Sequence, residues 1–458
     1  MKDESTTSNN VFILDNIFTE QFGLDGDDVA YETQLKVVFG DLKTVKRILA
    51  VKALRRSTAE RPYDTYDWLL PGLGLFHLRL NFLRLIHTIH WGGSEVLDQS
   101  TLQFAADRWG RSRVVEPNEF KALEDLIIHS YQARVVSALI LIQQKSASGP
   151  HRREQLAAWL TNHTSSSWLE TLESICHTTH LHWRQDARTA SDESVVDEEF
   201  QNHIRFIHHT ETYLQLKHAI RFADIGLLRL ALRECAILFQ AKAGGAPSYA
   251  RELLRTIHIT DSDGAAVELQ RAVLINSLVT MQETPGHAFE TDRLVEFLNA
   301  KLKTFQKERS IFTKNSDEQL ADWALCAPVL SALKTTFETS FGVPNAAGHP
   351  EKSAAEDVYS LAWELSQSSM QQSAVTRFSA YRAADLFQEG LQRLSQNVTR
   401  HNADYAATKQ RPINTLDVPD SDIAFLDPNL VSDNDAEGDE GGENIGAESE
   451  VTASHFFI

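Results

Sequence analysis

From Leu73 to Val398 the apolar residues recur at intervals of three and four almost throughout, and runs alternating apolar with polar are few. A helix turns every 3.6 residues and a strand every two, so this spacing predicts helices packed on helices. Leu73–Trp91 (LGLFHLRLNFLRLIHTIHW) is the strongest case: Phe76, Leu80, Leu83 and Ile86 or His87 share a broad apolar face that belongs in a core. Helices are also expected over 11–24, 42–56, 117–141, two within 195–243 broken near Asp224 or Gly226, then 247–257, 265–281, 288–307, 318–341, 352–368 and 374–398. The expected fold is mainly α: a large multi-helix domain with at most a short β segment near residues 35–39.

That β segment is Leu35-Lys36-Val37-Val38-Phe39, which stops at Gly40-Asp41 and gives way to a basic, helix-patterned stretch ending at Arg56. A carboxylate at the carboxyl end of a strand is well placed for metal or substrate chemistry, because loops there open onto a crevice. Its ordinary role is to cap the helix that follows, by accepting the N–H of Lys43 or Thr44. Lys43, Lys46, Arg47, Lys52, Arg55 and Arg56 follow Asp41 with no acidic residue before Glu60, and five of them (Lys43, Lys46, Arg47, Arg55, Arg56) are candidate phosphate contacts. On a helical wheel these charges spread around the apolar face, which equally describes a solvated helix.

No stretch of eighteen uninterrupted apolar residues occurs in the 458, so no membrane span is expected. Cys176, Cys235 and Cys326 lie too far apart for a disulfide framework, and MKDESTTSNN has no signal-like apolar segment. An intracellular location, nuclear or cytoplasmic, is expected. The net charge of −19 is concentrated at one end: residues 417–458 hold twelve Asp or Glu and neither Lys nor Arg. The rest carries about −7, which neither demands nor forbids nucleic acid. With so little apolar content, 412–458 is expected to be a disordered acidic tail. The organisation expected ahead of it is an N-terminal lobe over 1–92, a helical region over 93–285, and helices over 286–400 packing back on the lobe.

P-loop, GxSxG, HExxH and CxxC patterns are all missing. Cys176, His180 and their neighbours could share a helix face, but a structural zinc site wants four ligands. His77 sits on the apolar 73–91 helix, where a hydrogen-bonded core histidine is the ordinary reading. In Phe289–Lys303 (FETDRLVEFLNAKLK), Leu294, Leu298, Leu302 and Phe305 form a core stripe. Asp292, Glu296, Asn299 and Lys303 line the other side, aligning two carboxylates with an amide that would matter if this face closed over Asp41.

Several of these stretches carry a resemblance. They are Val38-Phe39-Gly40-Asp41-Leu42-Lys43-Thr44, Trp68-Leu69-Leu70-Pro71 with Gly74-Leu75-Phe76-His77-Leu78-Arg79-Leu80-Asn81, Phe222–Arg229, Leu269–Leu274, and Thr291–Glu296 with Leu298-Asn299. Together they resemble the fungal domain-of-unknown-function family 6589 over about residues 11–400. Members of that family are commonly transposon-associated and supply no activity to carry over. The order of a strand ending in Gly-Asp, a long helical insertion and a later helix bearing Glu is that of RNase H-like transposases. Those enzymes hold two metal ions about 3.5–4 Å apart with a carboxylate triad. Asp41 would be the second acid and Glu296 the third, binding Mg2+ or Mn2+ if the site is intact. Asp15 is the one stand-in for the first acid, on a segment that reads as helix. The expectation is therefore a transposon-derived, inactive or truncated relative of such an enzyme, acting on nucleic acid or protein. The alternative is an all-helical interaction scaffold.

Overall fold

The computed structural model describes residues 7–24, 26–27, 31, 34–55, 61–92, 98–111, 120–146, 197–241, 246–261, 267–280, 284–298, 329, 332–333, 336, 354–368, 370, 377–379 and 381–410. The acidic tail, the Cys176–His180 cluster and the helix expected over 318–341 therefore fall wholly or largely outside the described residues. The described chain is mainly helical, with two short two-stranded sheets. It divides into two compact units, one made of 1–81, 215–350 and 387–458, the other of 82–214 and 351–386.

In the first unit, α1 (Thr7–Asp15) runs into a wider π-helical turn (Asn16–Gln21). Strand β1 (Lys36–Gly40) is followed by α2 (Leu42–Arg55), a short α3 (Pro62–Thr65), and β2 (Leu69–Leu73). The expected short strand is thus present, but it does not stand alone: β2 pairs with it in parallel, Lys36 opposite Leu69 and Gly40 opposite Leu73. Pro71 hid β2 in the sequence, since proline interrupts a strand pattern. Here its missing N–H lies on the side turned away from β1, where a strand tolerates proline.

Val45, Ile48 and Val51 are the inward stripe of α2. Ile48 and Val51 join Leu14, Phe18, Tyr31, Tyr63, Tyr66, Trp68 and Leu69 in one core cluster. Trp68 lies at its centre, edge-on to Phe18 and stacked on Tyr63. Truncating Ile48 to Ala would cost about 2–5 kcal/mol by the usual transfer and cavity terms. Farther along are α4 (Leu75–His90), and later α8 (Ile225–Leu238), α9 (Pro247–Asp261) and α10 (Val267–Ile275). β3 (Leu278–Thr280) then pairs antiparallel with β4 (Ala288–Glu290), and helix α11 follows over 291–298. The last helix of this unit is α13 (Leu386–Gln410).

The second unit takes the later part of α4 with α5 (Leu102–Arg108), α6 (Phe120–Ser146), α7 (Glu198–Arg221, as far as Leu214) and α12 (Ala355–Gln367). α6 packs on α12 around Ala133, Ile140, Val358, Leu361 and Leu365. α6 and α7 run antiparallel: Glu124 accepts the Tyr213 hydroxyl, Arg134 meets His203 at 3.0 Å, and Ala138 clusters with Phe200. Arg134 is fully buried, donating to the Ser100 carbonyl and lying 4.4 Å from the Phe206 ring centre. Burial lowers its pKa to about 9, partly opposed by Asp98.

Candidate functional site

The two parallel strands end side by side, and each feeds a helix. One residue past the ladder, Gly74 N–H donates to the Gly40 carbonyl at 2.7 Å, so the starts of α2 and α4 stay level. The first four N–H groups of a helix lack internal partners, and both starts here are closed by carboxylates. Asp41 Oδ1 accepts the Thr44 N–H at 2.7 Å, which is the cap expected of a turn residue at this point. For α4 the cap comes from far away in sequence. Asp292, in the first turn of α11, accepts the N–H of Phe76 through Oδ1 and that of His77 through Oδ2, both at 3.1 Å.

Asp292 also holds the His77 side chain, Nδ1 to Oδ2 at 3.0 Å. With Nδ1 as donor, Nε2 meets no partner among the described residues. Burial by itself disfavours the imidazolium, but the hydrogen bond and charge of Asp292, then the charges of Asp41 and Glu296, outweigh it and raise the His77 pKa. The structure thus sets Asp292 against the His77 imidazole, with Asp41 and Glu296 near enough for their charges to act on it. Gly74 is required by this arrangement, since a Cβ there would sit 2.2 Å from Asp292 Oδ2.

One turn further along α4, Arg79 pairs with Glu290, the last residue of β4. Both are almost wholly buried, at 4% and 0% exposure, and Glu290 Oε2 has no hydrogen-bond partner among the described residues. Neither had been singled out in sequence. Glu290 sits where the pattern predicts helix from 288 onward, yet 288–290 forms a strand.

The stripe expected on α11 is corrected in the same way. Asp292, assigned to the solvent side, is 4% exposed, while Leu298, assigned to the core, is 51% exposed. Capping α4 turns Asp292 inward and carries that face of the helix with it. Glu296 is half-buried; Asn299, Leu302, Lys303 and Phe305 lie outside the described residues.

Asp15 is committed elsewhere: the hydroxyls of Tyr63 and Tyr66 both donate to its Oδ1, at 2.6 and 2.7 Å. Burial first, then Asp15, pushes both phenols well above the ordinary tyrosine range. Of the basic residues on α2, Lys43 and Arg55 are exposed and Arg47 is half-buried. Lys46 donates to Ser248 Oγ at 3.2 Å, and Arg56 lies outside the described residues.

A pair of divalent ions needs free carboxylate oxygens converging on one point. Here both oxygens of Asp292 and one of Asp41 accept N–H donors, and no group of three His, Cys, Asp or Glu among the described residues is arranged to hold a metal. These side chains, as placed, do not fit a two-metal centre. What they can do is lock two strand–helix units together and hold an imidazole with one nitrogen outward. Among the described residues no helix is long and apolar enough to cross a membrane.

No curated protein and no solved structure matches the chain. A family profile does, over residues 1–349, and so includes the strand–Gly-Asp–helix unit, Gly74–Asn81 and Asp292. The chain belongs to the family of unknown function DUF6589.

Proposed function

We propose that this chain is a transposon-derived relative of an RNase H-like transposase, catalytically inactive by itself, acting inside the cell on a nucleic-acid partner. The order of its parts supports the reading: a strand ending in Gly-Asp, a parallel strand after two helices, a long helical stretch, and then a helix that returns Asp292 to the end of the second strand and brings the charge of Glu296 to bear on His77. The observation that carries the inactive half of the reading is the use of Asp41 and Asp292. Their oxygens accept helix N–H groups where metal ligands would have to be free. Exposed Lys43 and Arg55 on α2 offer contacts to phosphates, worth a salt-dependent, sequence-independent affinity.

Incubating purified protein with labelled single- and double-stranded DNA and Mg2+ or Mn2+ tests this. The expected result is binding that weakens as salt rises and weakens further in Lys43→Glu/Arg55→Glu, with no strand cleavage. Metal-dependent cleavage abolished by Asp41→Ala or Glu296→Ala would overturn the inactive assignment.

A further inference from the structure

The β1–β2 pair has two outer edges, and they are finished differently. Lys36 N–H donates to the Trp68 carbonyl and Gly74 N–H to the Gly40 carbonyl, which fixes residues 36, 38 and 40 as the ones facing β2. A strand residue points its N–H and C=O to the same side, so Val37 and Phe39 turn theirs outward, and on β2 residues 69, 71 and 73 do so. The outer edge of β2 is closed at Leu69 and Pro71. Lys52 Nζ donates to the Leu69 carbonyl at 2.5 Å, Arg255 Nη2 to the Pro71 carbonyl at 2.7 Å, Pro71 has no N–H, and Leu69 N–H is bonded to the Tyr66 carbonyl. These are the devices by which proteins blunt a sheet edge. Among the described residues none of them is present on β1: the outward groups of Val37 and Phe39 meet no backbone or side-chain partner there.

We propose that β1 is an interaction edge whose occupant is the β1 of a second copy of this chain, paired antiparallel about a two-fold axis at Val38. The strand is suited to pairing with itself. Its two outward residues lie symmetrically about Val38, so Val37 falls opposite Phe39 of the second copy and Phe39 opposite Val37. Each opposed pair exchanges two N–H···O bonds, which satisfies every outward group on both strands. Val37 and Phe39 share the sheet face opposite Val38, which packs against the core cluster. The Phe39 ring already lies over Gly72 on that face, leaving a half-exposed apolar strip. Self-pairing converts the strip into two valine–phenylalanine cross-strand pairs, a favoured combination. Charge also matches: Lys36 falls opposite Gly40 and next to Asp41 of the second copy. Among the described residues its own ammonium otherwise meets only the exposed Gln34 side chain, at 3.5 Å.

Sedimentation or light scattering across a concentration series reads the state directly, with a mass approaching twice 51.5 kDa expected at high concentration. Val37→Pro removes one outward N–H and leaves the inner ladder intact, because Val37 makes no bond to β2. It should weaken dimerisation at least tenfold with an unchanged circular dichroism spectrum. Val38→Cys places two thiols across the axis, where opposed α-carbons of a pair without mutual hydrogen bonds lie about 4.5 Å apart, within disulfide range. Oxidation should then give a covalent dimer that the parent chain, with its native cysteines, does not give. A monomer at every concentration, or a dimer that Val37→Pro leaves untouched and Val38→Cys does not cross-link, would overturn the proposal.

Discussion

Asp292 grips His77 twice, accepting its backbone N–H at 3.1 Å and its ring Nδ1 at 3.0 Å, across more than two hundred residues of chain. A single carboxylate thus caps a helix, orients an imidazole and fastens α11 to the end of β2. Replacing Asp292 by Ala removes a buried charged acceptor from three donors. We expect a loss of about 2–4 kcal/mol, the usual range for a helix cap plus buried hydrogen bonds to a charged group, read from urea denaturation.

Gly74→Ala tests the same joint from the other side. Its new methyl would collide with the Asp292 carboxylate, which cannot move away without releasing Phe76 and His77. A destabilisation of about 1–3 kcal/mol is expected from overpacking. The double variant with Asp292→Ala should lose less than the sum of the two, because the clash disappears with the carboxylate.

The Arg79–Glu290 pair should show strong non-additivity. Either Arg79→Met or Glu290→Met alone leaves its partner buried without full compensation, at a cost of about 3–5 kcal/mol, whereas the two together should recover much of it. A double-mutant cycle measures the coupling.

Much of the helical framework was legible in the sequence, because buried faces repeat every three to four residues and Asp41 and Asp224 stand at helix starts. Asp224 accepts the Leu227 N–H at 2.9 Å and breaks the 195–243 pattern where expected. The site was legible in part. Asp41, His77, Asp292 and Glu296 were all marked by residue type, yet the inward turn of Asp292 was not. Helical spacing alone says which residues share a face, but which face is buried depends on a donor two hundred residues away. Glu290 was hidden because a three-residue strand carries too few positions to show a period.

Histidines in the two units should respond to pH in opposite senses. His77 has a folded pKa raised above the ordinary 6.5, so protonation favours the folded state. Its contribution is full below pH 6.5 and is lost as pH rises through the folded value. His90 and His209 are fully buried, Nε2 to Nδ1 at 2.8 Å, with His90 Nδ1 lacking a partner among the described residues. Burial, then the charges of His209, Arg134 and Arg205, lowers His90 well below its ordinary value, and burial, then His208 and Arg205, lowers His209 to about 3. The unfolded chain therefore takes up protons that the folded pair refuses, and stability falls as pH drops below 6.5. NMR titration should place the His77 midpoint above 6.5, and Asp292→Asn should lower it. His209→Gln should flatten the acid limb of the stability curve.

Asp41 and Asp292 both cap helices in this structure, and whether either can also take a metal ion decides the inactive reading. A crystal soaked in Mn2+ tests it most directly through anomalous scattering. No ion is expected between Asp41, Asp292 and Glu296, with Asp41 Oδ1 still on the Thr44 N–H. Two ordered ions about 3.5–4 Å apart, drawing either carboxylate off its helix, would contradict it.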